Sequence, residues 1–174
     1  PYYRDISGNI ISEGDTKAEE NAWNSNILTI ATAMMPHHEH HDRWMAKNVE
    51  MQISAYATPE DINKDTVVDG VKLNQILKGS NMNSNGTVIN HNILHPDYMT
   101  AFMHNAINVW IYELAGRNGL QSSLYNGAII YNVLTELQFN GKTMYQKSND
   151  GKASSLIYFP EGNDWGGKLS LIHI

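Results

Sequence analysis

Apolar residues recur at helical spacing in four stretches of the chain, each bounded by helix start or stop signals. In the first, Trp23, Ile27, Ile30, Ala31 and Met34 follow Glu19 and Glu20, with Asp15 or Thr16 as cap and Pro36 as stop. The second covers about 39–56, where Trp44, Met45, Val49, Met51, Ile53 and Tyr56 make a broad apolar face. The short PHHEHH turn between the two predicts an antiparallel helical hairpin. The third runs over about 96–115, from Pro96 in its first turn through Met99, Phe102, Met103, Ala106, Val109, Trp110 and Leu114 to a stop at Gly116. The fourth covers about 121–138 and carries Leu124, Ala128, Ile129, Tyr131, Val133, Leu134 and Leu137. Trp44 and Trp110 fall on these apolar faces and are expected in the core.

The connections have their own signals. Thr58-Pro59-Glu60-Asp61 reads as a cap followed by proline at the first helical position, hence a short helical turn. Asp69-Gly70 between β-formers predicts a two-residue hairpin, and two β-like runs flank Asn149-Asp150-Gly151. The fold class is therefore mainly α, with small β-hairpins in the loops. Paired antiparallel helices joined by long loops close rings in (α/α) toroids or stack into solenoids. Four helices are too few to close a ring, which fits a piece of something larger. Both ends read as cut: the chain opens at Pro1 in mid-segment, and its LSLIHI ending resembles translated sequencing-adapter sequence. The expected division is a partial toroid domain over 1–167 and a non-native tail over 168–174, with a genuine final strand as the alternative; His173 is left out of any site.

Composition narrows the function. Of 174 residues, 41% are hydrophobic and 17% charged, which suits one core of ordinary size. A net charge of −6 with only twelve scattered Lys and Arg argues against a nucleic-acid partner. No apolar run approaches the roughly twenty residues that span a bilayer. The chain has no cysteine, which excludes disulfides, thiolate metal sites and a cysteine nucleophile.

The densest candidate chemistry lies in NGTVINHNILHPDY (85–98), which places Asn90, His91, His95, Asp97 and Tyr98 together after an Asn- and Gly-rich loop. An imidazole, a phenol and a carboxamide close together are the parts needed to remove a proton beside a carboxylate and hold the charge that forms. His95 and Asp97 also suit the first turn of a helix, where a carboxylate favours the dipole. Trp23 among Asn21, Asn24 and Asn26, and Asp164-Trp165 in a Gly-rich segment, are candidates for holding a sugar ring. The HHEHH cluster at 37–41 lacks the HExxH spacing and a third ligand, so no metal is expected. No phosphate loop, dinucleotide fingerprint or nucleophile elbow is present, and no cofactor is expected.

Five stretches carry a family likeness: AEENAWNSNILTIATAMMP, SAYATPEDI, NGTVINHNILHPDYM, AGRNG and IYFPEGNDWG. Over about 13–166 the layout resembles bacterial (α/α)-toroid carbohydrate-active enzymes, in the style of polysaccharide lyases of the heparinase II/III-like group. The Trp-rich segment of those toroids has its nearest equivalent in Asn21-Ala22-Trp23-Asn24, which holds a single tryptophan. The resemblance implies β-elimination on an acidic polysaccharide, with Asn90 or Asn24 neutralising the carboxylate, His91 as base and Tyr98 as acid or base. Together with the residue readings above, the expected substrate-binding set is Trp23, Asn24, His95, Asp164 and Trp165, the expected location is extracellular or cell-surface, and the expected partner besides a polysaccharide substrate is the rest of the parent chain. Two other readings stay open. Two carboxylates about 5 to 9.5 Å apart would make a glycoside hydrolase, and Asn-rich loops that merely cap helices would make a binding or scaffold domain.

Overall fold

Helix α1 (Ala18–Met34) carries its buried residues on the polar side of the pattern, and its large apolar residues face outward. Ala22, Ser25, Thr29 and Thr32 are buried at helical spacing, whereas Ile27 is 67% exposed and Trp23, Ile30 and Met34 share its side. The computed structural model describes residues 2–4, 10–90, 93–94, 96–136, 138–139, 142–143, 145–147 and 153–157. Across these the chain is mainly helical. α1 is followed by α2 (His41–Ala55), α3 (Leu73–Ile76), α4 (Pro96–Thr100), α5 (Phe102–Leu114) and α6 (Gly127–Glu136).

The strands form two-stranded antiparallel hairpins. β1 (Tyr2–Arg4) pairs with β2 (Ile10–Thr16), and β3 (Val67–Val68) with β4 (Val71–Lys72). β5 (Ile89–Asn90) pairs with β6 (Ile93–Leu94), β7 (Gln138–Phe139) with β8 (Lys142–Thr143), and β9 (Tyr145–Lys147) with β10 (Ala153–Ile157). In the β3–β4 turn Asp69 and Gly70 both take positive φ, 47° and 80°, as a primed two-residue turn requires.

α1 packs against both α2 and α5. Side-chain pairings fix the directions. Thr29 meets Asn48, and Ala22 lies in one cluster with Ala55, so α1 and α2 are antiparallel. Ser25 meets Asn105 and Thr32 meets Tyr112, so α5 runs parallel to α1. What fills the space between the three helices is a hydrogen-bonded polar seam. Asn48 donates to Thr29 Oγ1 at 2.8 Å and to the Tyr112 hydroxyl at 3.1 Å; that hydroxyl is 2.7 Å from Thr32 Oγ1. Gln52 Oε1 accepts from Ser122 and Ser123, and Asn105 donates to the Gln52 carbonyl. Every buried polar group needs such a partner, and here the partners are each other.

Two apolar clusters accompany the seam. One gathers Ala18, Ala22, Tyr56, Met99, Ile130 and Leu134; the other Val49, Ile53, Val68, Leu73 and Leu77. Gly86 (φ +86°) pins the loop before β5 against α6. A Cβ there would lie 2.6 Å from Val133 and 2.7 Å from Ile129. Gly86→Ala is expected to cost about 2–3 kcal/mol, combining the left-handed backbone penalty with overpacking, as read from urea midpoints.

Several expectations need correcting. α1 starts at Ala18 with Lys17 in the cap position, and Thr16 belongs to β2, so neither Asp15 nor Thr16 caps it. The expected third helix is two helices. Around Ala101 the His104 amide bonds the Ala101 carbonyl, a three-residue step that interrupts the α ladder. The expected fourth helix is a 3-10 turn, Gln121–Leu124, followed by α6. Ser122 and Ser123 are held by Gln52, and Asn126 by the Tyr56 carbonyl and Asp61, with Asn126 at φ 58°. Trp110 is 57% exposed, and Trp44 is partly exposed, stacked on His38 at 4.3 Å. α6 stands off from α5, leaving a cavity of about 510 Å3 lined by Phe102, Met103, Ala106, Trp110 and Tyr131.

A charge pattern explains the outward apolar faces. No Asp, Glu, Lys or Arg occurs between Glu20 and Glu39, between Asp97 and Glu113, or between Arg117 and Glu136. α1, α5 and α6 are therefore almost uncharged, while α2 carries Asp42, Arg43, Lys47 and Glu50. Helices without a charged side are built to be covered on both sides. Ile27→Lys and Leu114→Lys are expected to change stability by less than about 0.5 kcal/mol, because both sites already face water. They should also weaken binding of a hydrophobic dye. A loss of several kcal/mol in urea unfolding would place these side chains in the core instead.

Candidate functional site

The heads of α1, α4 and α5 meet at one end of the helix layer. Small residues make the approach possible: Ala18 and Ala22 are fully buried in the cluster that also holds Met99, with Tyr98 and Phe102 packed against it. Tyr56 ties the region together. Its hydroxyl donates to the Tyr98 carbonyl at 3.0 Å, and its ring meets Phe102 edge-on at 5.3 Å. Burial pushes the Tyr56 phenol well above its ordinary pKa, and the neighbouring charge of Glu19 adds to this.

Trp23 is held by its edge. Its indole N–H donates to His104 Nε2, and the two rings stand at 88° with centroids 5.6 Å apart. That bond makes Nε2 the acceptor, so the network assigns the proton to Nδ1, which lies 3.2 Å from Asn26 Oδ1. Asn26 in turn donates to the His104 carbonyl and to Asn108 Oδ1, and Asn108 donates to Ser25 Oγ at 2.9 Å. The ring is thus joined to the buried seam. Burial lowers the His104 pKa, which keeps it neutral near pH 7.

Asp97 is the unusual carboxylate of this end. Its Oδ1 is enclosed without a hydrogen-bond partner among the described residues, and burial raises its pKa. Glu20 Oε2 and Thr16 Oγ1 are likewise enclosed and have no partner among the described residues.

The sequence-derived candidates divide as follows. Trp23 and Asn24 are exposed on the head of α1, and Tyr98 is half-buried at the head of α4, so these three share one end. Tyr98 is also packed against the apolar cluster, as an ordinary first-turn aromatic would be. Asn90 is placed as backbone in β5, opposite Ile93. His91, His95, Asp164 and Trp165 lie outside the described residues. His104 was missed, because it sits in a run of apolar residues on α5. The available signal was the polar series Asn105, Asn108 and Tyr112 beside it, at the spacing of Ser25, Thr29 and Thr32 on α1.

Among the described residues no three His, Asp or Glu side chains gather to hold a metal, and no helix is long and apolar enough to cross a membrane. No protein-family model, curated protein or solved structure matches the chain.

Proposed function

We propose that this chain belongs to an extracellular or cell-surface (α/α)-toroid enzyme that degrades an acidic polysaccharide by β-elimination. The observation that carries the reading is the shared end of the helix layer: Trp23, Asn24, His104, Asp97 and Tyr98 stand at the heads of three helices. The uncharged outer faces of α1, α5 and α6 support the ring, whose neighbouring helix pairs would cover them.

In this proposal His91 takes the C5 proton of a uronic acid while Asn24 or Asn90 hydrogen-bonds its carboxylate. Neutralising that charge lets the carbanion form. The electron pair then makes the C4–C5 double bond, the bond from C4 to the glycosidic oxygen breaks, and Tyr98 gives that oxygen a proton. Two products result, one with an unsaturated uronic end. The chain is to be incubated with polygalacturonate, alginate and heparan sulfate, following the ultraviolet absorbance of the conjugated product. Rising absorbance, abolished in His91→Ala, is expected; reducing ends without absorbance would mean hydrolysis and sink elimination.

That second outcome has one observation in its favour. The raised pKa of Asp97 suits a general acid, one of the two carboxylates a glycoside hydrolase needs.

A further inference from the structure

We propose that His104 is a positioning residue that fixes the indole of Trp23 as a stacking platform for a pyranose ring. This rests on the carbohydrate reading above but adds a residue and a role to it. Tryptophan offers a ligand two things, an apolar face and one N–H. In Trp23 the N–H is already spent on His104 Nε2, while half of the residue remains open to solvent. Only the face is left to offer. An apolar ring face with its edge immobilised suits the C–H side of a sugar ring, and the exposed amide of Asn24, next along α1, is at hand for a hydroxyl.

The immobilisation is built, not incidental. His104 is gripped at both nitrogens and at its carbonyl, by Trp23, Asn26 Oδ1 and Asn26 Nδ2 respectively. Asn26 is gripped by Asn108, and Asn108 by Ser25, which is fully buried. An orientation set on the surface is therefore anchored in the interior. A side chain held in its bound rotamer loses less entropy on binding, so the anchoring favours affinity directly.

The same geometry sets a proton dependence. Protonated imidazole carries N–H at both nitrogens, so Nε2 can no longer accept from the indole. Acid should release Trp23. Burial of His104 moves that event to lower pH than for a solvated histidine. The other titratable groups on the elements packed around it are Lys17, Glu19 and Glu20 on the head of α1, Asp97 and Tyr98 on α4, and Tyr112 and Glu113 further along α5.

The test is nuclear magnetic resonance of the whole chain with 15N-labelled tryptophan, the Trp23 indole signal being assigned by its loss in Trp23→Phe. Titration of the wild type from pH 7 toward 5 is expected to move that signal upfield, with Trp110 serving as a reference for general change. Cellohexaose and a galacturonate hexamer are then titrated at pH 7, and at least one should perturb the Trp23 indole. His104→Leu is expected to weaken that saccharide roughly threefold to tenfold, the worth of an aromatic contact. His104→Gln, whose amide can accept from the indole and donate to Asn26, should restore binding and abolish the acid shift. An indole signal unmoved by acid, unmoved by both saccharides, or bound equally well in His104→Leu overturns the proposal. Should His104→Leu not fold, the wild-type titrations and His104→Gln decide it alone. Binding without any unsaturated product would uphold the platform while removing the lyase.

Discussion

Gln52→Leu is expected to destabilise the protein by about 3 to 5 kcal/mol, although leucine has nearly the same volume and more apolar surface. Gln52 is fully buried, and its amide works at both ends. Oε1 accepts from Ser122 Oγ at 2.6 Å and Ser123 Oγ at 3.1 Å, while Nε2 donates to Asn48 Oδ1 at 3.2 Å. Leucine leaves two hydroxyls and a carbonyl enclosed without partners, at about 1–3 kcal/mol each. Burying the extra methyl groups returns only part of this. Urea unfolding of wild type and variant measures the difference. A cost under about 1 kcal/mol would mean that the seam is not a dry, mutually satisfied network.

The second large effect lies at Asp61, where Asp61→Ala is expected to cost about 3 kcal/mol or more. The carboxylate is fully buried by area and acts as a four-way junction. It accepts from the Thr58 amide at 2.8 Å, the Thr58 hydroxyl at 3.1 Å, Lys64 at 2.7 Å and Asn126 at 2.8 Å. Burial alone would raise its pKa. The bonds from Lys64, Thr58, Asn126 and Tyr125 outweigh this, and the net shift is downward.

The sign follows directly. A carboxylate whose folded pKa lies below its unfolded value, near ~3.9 for Asp, stabilises the fold above that value. The contribution is lost as pH falls through the folded pKa. Asp61→Asn should therefore flatten the loss of stability below about pH 4, and a thermal-melting series from pH 7 to 2 reads it. Equal acid slopes in wild type and Asp61→Asn would show that the charge of Asp61 does not contribute.

Much of the fold was legible because its signals are local. Thr58 stands at the cap of the expected short helical turn, Asp69-Gly70 turns the expected hairpin, and Gly116 (φ +71°) ends α5. The α1–α2 hairpin follows from two periodic runs and a six-residue turn. The orientation of the helices was not legible by the same logic. Periodicity locates an apolar side but does not say that it faces this chain's own core. In α1 and α5 the residues turned inward are Ser, Thr, Asn and Tyr, which pay for burial by bonding one another across helices. Those bonds join positions some 20 to 80 residues apart, and no window along one helix contains them.

The site was legible in part for the same reason. Trp23 and Asn24 stood out as aromatic and amide side by side, and Tyr98 by its place after a polar loop. His104 has meaning only through Trp23 and Asn26, 81 and 78 residues away. A contact of that span leaves no trace in spacing.

Asp69 sits at a positive φ in the β3–β4 turn, and its two carboxylate oxygens also accept the backbone N–H groups of Gln121 and Ser122. Ser122 in turn holds Gln52. Opening that small turn would thus loosen the 3-10 segment and then the middle of α2. Amide protons from these three remote stretches should exchange with solvent at one common rate, as a single cooperative unit.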